Sequence, residues 1–191
     1  MKNPRHSLIA VLVMLFMTST VFSQQTRVSP VEMESVVVAG DGVKALRTIV
    51  VYCRPYTKAP NSTTMRKIWG GLVPYGQVWR TGANEATLFI TPVALEAGGA
   101  TIPAGTYTLW TLPQADGSAK LIINKQFGQW GEAYDEKQDL ARIDLTRSSL
   151  DKSVDQFTIT MDQTGTAGTT GFVLKMAWEN TQFTLPFAVK K

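Results

Sequence analysis

The chain is nearly without histidine and cysteine. His6 is its only histidine and Cys53 its only cysteine. A chain that loses its first residues keeps no imidazole. That excludes a Ser-His-Asp or Cys-His arrangement and a histidine-ligated zinc or iron centre. One cysteine cannot form an internal disulfide, so in an oxidising compartment stability has to come from packing. Cys53 itself reads first as a small buried hydrophobe. Clustered charge is absent too: no element gathers its Lys and Arg on one face, so nucleic acid is not an expected partner. No cofactor or metal site is expected from the remaining residue types.

Long apolar runs are also missing, with one exception at the start. Lys2 and Arg5 precede an apolar stretch from Leu8 that extends to Phe22 across Thr18, Ser19 and Thr20. Val21 and Ser23 then stand at the positions a signal peptidase reads. A basic start, an apolar run and a short cleavage site describe a secretory signal peptide over residues 1–23. The run falls short of the roughly 20 unbroken apolar residues of a membrane span. No cysteine follows it, so no lipid anchor is expected. Residues 24–191 then form one domain of ordinary size, exported to the periplasm or the medium. Losing Lys2 and Arg5 takes the 19 basic residues to 17 against 15 acidic ones, which lowers the net charge from +4 to +2.

Within that domain, helical periodicity is nearly absent and alternation with period two recurs. Leu46–Cys53 is apolar on both faces, as a central strand would be. Thr87–Val93 follows, then a turn at Gly98 and Gly99, strands over Thr101–Pro103 and Tyr107–Leu112, and another over Lys120–Asn124 after the Asp116-Gly117 turn. Ala141–Leu145 is a weaker strand. Phe157, Ile159 and Met161 share one face, as do Phe172, Leu174, Met176 and Trp178. A loop over Gln163–Thr170 joins these two segments. A turn at Asn180 is expected to reverse the chain into Phe183, Leu185 and Phe187. The stretch Thr57–Thr64 reads as a mobile loop and Asp135–Leu140 as one short helix. The fold class is all-β, an antiparallel sandwich or distorted barrel with one short helix at most.

One stretch does not alternate. Residues 66–87 combine Trp69, Tyr75, Trp79, several glycines and Pro74 with Arg80, Asn84 and Glu85. Arg80 offers a planar fork suited to a carboxylate or phosphate, and Arg54 is a second candidate. Tyr75, Trp79, Trp130 and Tyr134 provide flat apolar surfaces, and Asn84 can fix polar groups. Such a set describes a site for a small polar ligand or a protein partner. Two other readings stand beside it. Glu85 and Asp135 can serve as an acid/base pair of a histidine-independent hydrolase, provided the fold brings them to glycosidase-like separation. Alternatively Arg80 and Glu85 pair with each other, Asn84 caps a turn and the aromatics are core, which makes the segment a structural lock in a purely structural or interaction module, one that acts by strand addition at an open sheet edge.

The run Trp69-Gly70-Gly71-Leu72-Val73-Pro74-Tyr75-Gly76, followed by Val78-Trp79-Arg80-Thr81-Gly82-Ala83-Asn84-Glu85-Ala86-Thr87, resembles the signature of an exported bacterial family catalogued as domain of unknown function 2911. Tyr52-Cys53-Arg54-Pro55, Ile102-Pro103-Ala104-Gly105-Thr106-Tyr107, and Asn124-Lys125 leading to Gln129-Trp130-Gly131 and Tyr134-Asp135 fit the same pattern. The resemblance spans about Ser29 to Trp178. It implies an exported β-rich domain and no particular activity. Two departures are visible: the family usually carries Ser at the position of Cys53, and the polar insert before Arg66 is longer here.

Overall fold

A computed structural model describes residues 28–39, 45–165 and 171–190. The expected signal segment 1–23 and positions 166–170 of the expected loop lie outside the described residues. Ten strands form two antiparallel sheets, with no closed barrel. The strands are β1 (Val31–Ala39), β2 (Leu46–Cys53), β3 (Thr87–Thr91), β4 (Leu95–Ala97), β5 (Ala100–Ile102), β6 (Gly105–Pro113), β7 (Ala119–Asn124), β8 (Asp139–Asp144), β9 (Thr146–Gln163) and β10 (Gly171–Val189). The first sheet runs β1-β2-β3-β6-β7-β8 and the second β5-β4-β10-β9. The short helix is a single 3-10 turn, Glu136–Gln138.

Alternation places the core. Val50 and Tyr52, Phe89, Tyr107 and Leu109, Leu121 and Ile123 point inward from the first sheet. Phe157, Ile159, Leu174, Met176, Trp178, Phe183, Leu185 and Phe187 point inward from the second. Each such side chain contributes about 1.5–3 kcal/mol of burial. A second, smaller cluster lies on the opposite face of the first sheet, where Val78 and Tyr134 cover Trp110, Ala86 and Ile122. The loops before β3 and after β7 are thereby folded down onto that face.

The reversal expected at Asn180 does not occur. β10 is one strand of 19 residues. Its inward positions are even-numbered up to Trp178 and odd-numbered from Thr181 onward. Glu179, with φ 52°, absorbs the extra residue as a bulge, and the register with β9 shifts on both sides of it. A change of phase is what both a turn and a bulge produce in sequence. Thr57–Thr64 is not an open loop either. Thr57 is buried, Ala59 N–H donates to the Thr64 carbonyl, and Lys58 pairs with Met65.

Between β2 and β3 the chain first crosses to the other sheet. Thr57 N–H donates to the Asp155 carbonyl at 2.7 Å, and Phe157 N–H to the Pro55 carbonyl at 2.9 Å. Just ahead of this strap the Tyr52 hydroxyl donates to the Ile159 carbonyl at 3.2 Å and accepts from Ile159 N–H at 2.8 Å. β9 is the edge of its sheet, so these contacts replace a missing neighbour strand.

Candidate functional site

After the strap, Trp79 pairs with Thr111 of β6, with both backbone bonds at 2.8 Å. This takes up the ladder position ahead of β3. Arg80–Thr87 then leaves the sheet as a closed loop. Thr87 N–H donates to the Arg80 carbonyl at 3.4 Å across its neck, and the Thr87 hydroxyl to the Thr81 carbonyl at 2.7 Å. The hydroxyls of Thr81 and Thr111 share a bond at 2.8 Å. Trp79 Nε1 donates to the Gly82 carbonyl at 3.1 Å. Thr81 has φ 53° and Asn84 φ 59°. For Asn this is tolerated, but for a β-branched residue it is strain, which persists only where surrounding bonds enforce it.

The loop that carries Trp130 and Tyr134 latches onto this one. Gly131 N–H donates to the Asn84 carbonyl at 2.9 Å, Ala86 N–H to the Gln129 carbonyl at 3.3 Å, and Glu85 bridges Trp130. Gly131 has to be glycine: a Cβ there would stand 2.1 Å from Arg80 Cδ and 2.5 Å from the Asn84 oxygen. Tyr134 is fixed from the far side. Its hydroxyl donates to Asp139 at 2.6 Å and accepts from Arg142 at 3.0 Å, while its ring lies 4.9 Å from that of Trp110. Burial, and after it the Asp139 carboxylate, push its phenol well above the usual tyrosine range.

These elements enclose a cavity of about 1210 Å³. Trp79, Arg80, Asn84 and Tyr134 all line it. So do Lys58, Arg66, Trp110, Glu132 and Asp155, which sequence reasoning missed because they come from distant stretches and share no motif. Trp79 is largely a core residue, stacked 5.9 Å from Trp178 and edge-on to Trp69 and Phe157.

The other candidates lie elsewhere. Arg54 is a clamp: it donates from Nε to the Phe157 carbonyl at 3.1 Å, from Nη2 to Thr158 at 2.8 Å and from Nη1 to Glu32 at 3.2 Å. The Tyr75 ring lies over Gly70, where a Cβ would come within 2.5 Å of it. Trp130 is 52% exposed and lines neither this cavity nor the one beside Glu85. Glu85 faces a separate apolar cavity of about 300 Å³, together with Cys53, Val51 and Leu88. There the Cys53 thiol donates to Oε2 of Glu85 at 3.5 Å. Asp135 lines neither cavity, and its carboxylate accepts from Lys137 N–H at 3.0 Å as the cap of the 3-10 turn. Glu85 and Asp135 are therefore not brought together at either cavity.

Arg80 differs from the other half-buried arginines. Arg54 and Arg142 each make three side-chain hydrogen bonds, and Arg66 donates to the carbonyls of Thr57 and Tyr56. Arg80 makes none with the described residues. Its acidic neighbour is Glu132, at 3.7 Å and 76% exposed, rather than Glu85. Its Nε is buried with no hydrogen-bond partner among the described residues. A desolvated charged donor left unbonded costs about 1–3 kcal/mol or more, so the fold holds this guanidinium in place against its own stability.

Among the described residues no helix is long and apolar enough to cross a membrane. Comparison with curated proteins and with solved structures gives no match. Residues 35–187, which hold both halves of the loop pair and nearly all of both sheets, match the profile of the family described as Protein of unknown function (DUF2911), and the chain belongs to that family.

Proposed function

We propose that this is an exported protein that binds an anionic small molecule through Arg80, in the cavity that Arg80 and Asn84 line. The observation that carries the reading is the Arg80 guanidinium, 29% exposed at the wall of a large cavity, which makes no hydrogen bond to a described residue and has only an exposed carboxylate at 3.7 Å beside it. Five N–H donors in a planar fork fit a carboxylate or phosphate. Asn84 supports the reading, because its carboxamide is likewise bonded to no described residue and its backbone is held by Gly131. Residues that cost stability and satisfy nothing within the fold are characteristic of binding sites. Export rests on the signal pattern of residues 1–23.

The test is calorimetric titration with inorganic phosphate, citrate and galacturonate, on the native chain and on Arg80→Gln. At least one of these anions binds, and Arg80→Gln weakens it by about 1.5–3 kcal/mol, the contribution of hydrogen bonds to a charged group, or roughly 10- to 150-fold. The variant folds and melts at or above the native temperature, because a desolvated donor without a partner is removed. Equal binding by both proteins, or no binding of any of the three, overturns the proposal.

A further inference from the structure

We infer that the ligand of this cavity is an acidic oligosaccharide, a short chain of carboxylate-bearing sugar units; this rests on the anion-binding reading of Arg80. Size is the first argument. Pockets for single small molecules run to about 300–1000 Å³, and this one is about 1210 Å³. One simple anion at Arg80 leaves most of it unfilled.

The lining beyond Arg80 supplies the second argument. Asn61, Gln77 and Asn84, from three separate stretches, all line the cavity. None of these carboxamides is hydrogen-bonded to a described residue. A carboxamide both donates and accepts, which matches hydroxyl groups that do the same. Tyr56 lines the same cavity and is 39% exposed. Its ring offers a flat face, electron-rich at the centre, for the polarised C–H bonds of a pyranose. Lys58 stands two residues along the strap, with no ion pair or side-chain hydrogen bond to a described residue. Lys58 and Arg80 thus give the cavity two cations without a side-chain hydrogen bond to a described residue, Arg80 facing only the exposed Glu132 at 3.7 Å, and a repeating acidic unit supplies more than one carboxylate.

An acidic peptide fits less well. An extended peptide gains its affinity by adding backbone bonds to a free strand. Here the backbone walls are already paired, Tyr56 with Gln156 and Trp79 with Thr111.

The experiment titrates the chain with galacturonate, trigalacturonate, neutral maltotriose and triglutamate. Linked units share the entropic cost of association, so trigalacturonate binds roughly tenfold or more tighter than galacturonate, and tighter than maltotriose. Lys58→Ala and Gln77→Ala, both at exposed positions, bring the trimer toward monomer affinity and leave the monomer unchanged. Equal affinity for monomer and trimer, or for acidic and neutral trimers, overturns the inference, as does tighter binding of triglutamate. If galacturonate binds through Arg80 but the trimer gains nothing, only the oligosaccharide inference fails. If no anion binds, both readings fail.

Discussion

Arg54 and Arg80 have the same chemistry and opposite surroundings. Arg54 joins β2 to β9 with bonds to Phe157 and Thr158, more than a hundred positions away in sequence. Truncating it to alanine removes the side-chain donor to the Phe157 carbonyl and one of the two bonds of the Thr158 hydroxyl, which keeps its own bond to the Gln156 carbonyl, and is expected to cost about 2–3 kcal/mol in a denaturant melt. Arg80→Gln removes no comparable bond and, by relieving an unbonded desolvated donor, leaves that melt unmoved or raised. Glu132 has a different role. As an exposed partner 3.7 Å from Arg80 it contributes less than about 1 kcal/mol to stability, yet it competes with any anion that approaches the guanidinium. Glu132→Gln is therefore expected to tighten anion binding several-fold in the calorimeter with no loss of stability. The sequence could not tell the two arginines apart. Both stand beside aromatics in stretches that carry the family resemblance, and what separates them is the presence or absence of partners from distant strands. Lys58, Glu132 and Asp155 escaped notice for the same reason: each is an ordinary charged residue until the fold aims it at the cavity.

At the level of elements, alternation was a dependable guide wherever one face is buried throughout. It located β2, β3, β6, β7 and both arms of the β9–β10 hairpin. It failed where the phase breaks. β1 received no strand assignment, and the structure shows why: its inward positions begin as Glu32 and Glu34 and only then become Val36 and Val38, while the outward Val31 and Met33 are exposed. In β10 the phase break at Glu179 was read as a turn. A non-glycine residue at φ 52° costs on the order of 1–2 kcal/mol, and burial also raises the carboxyl of Glu179 above its usual range. Glu179→Gly relieves both and is expected to raise the melting temperature, whereas Glu179→Val, β-branched in the same conformation, lowers it. A bulge that were merely a flexible hinge would respond to neither change.

For the whole molecule, the buried phenols set the alkaline limit. Desolvation raises Tyr52, Tyr107 and Tyr134 above the usual tyrosine value of 10.0. A group that binds its proton more tightly when folded contributes its full stability below the unfolded pKa and loses it as pH rises toward the folded one. Thermal melts are thus expected to hold steady up to about pH 10, the unfolded tyrosine value, and to fall steeply above it. Tyr134→Phe should make that fall shallower. Fold class was legible because a two-sheet core needs alternating strands along most of the chain. The site was legible only in part: Trp79, Arg80, Asn84 and Tyr134 stand out in sequence, whereas the rest of the lining comes from separate loops and strands whose only common property is where they end up.

The bonds of Tyr52 to Ile159 bear on how copies of this chain behave together. An edge strand with bare N–H and C=O groups is a template on which another chain can add itself. Along Asp155–Ile159 of β9 that template is occupied from within: the Tyr52 hydroxyl takes both groups of Ile159, and the Arg54–Thr57 strap takes both of Phe157 and the carbonyl of Asp155. The same few atoms that tie the sheets together therefore also blunt this part of the edge against strand addition. Tyr52→Phe keeps the ring in the core and loses only one oxygen, but it bares both groups of Ile159 beside the strap, and is expected to self-associate more readily than the native chain in light scattering.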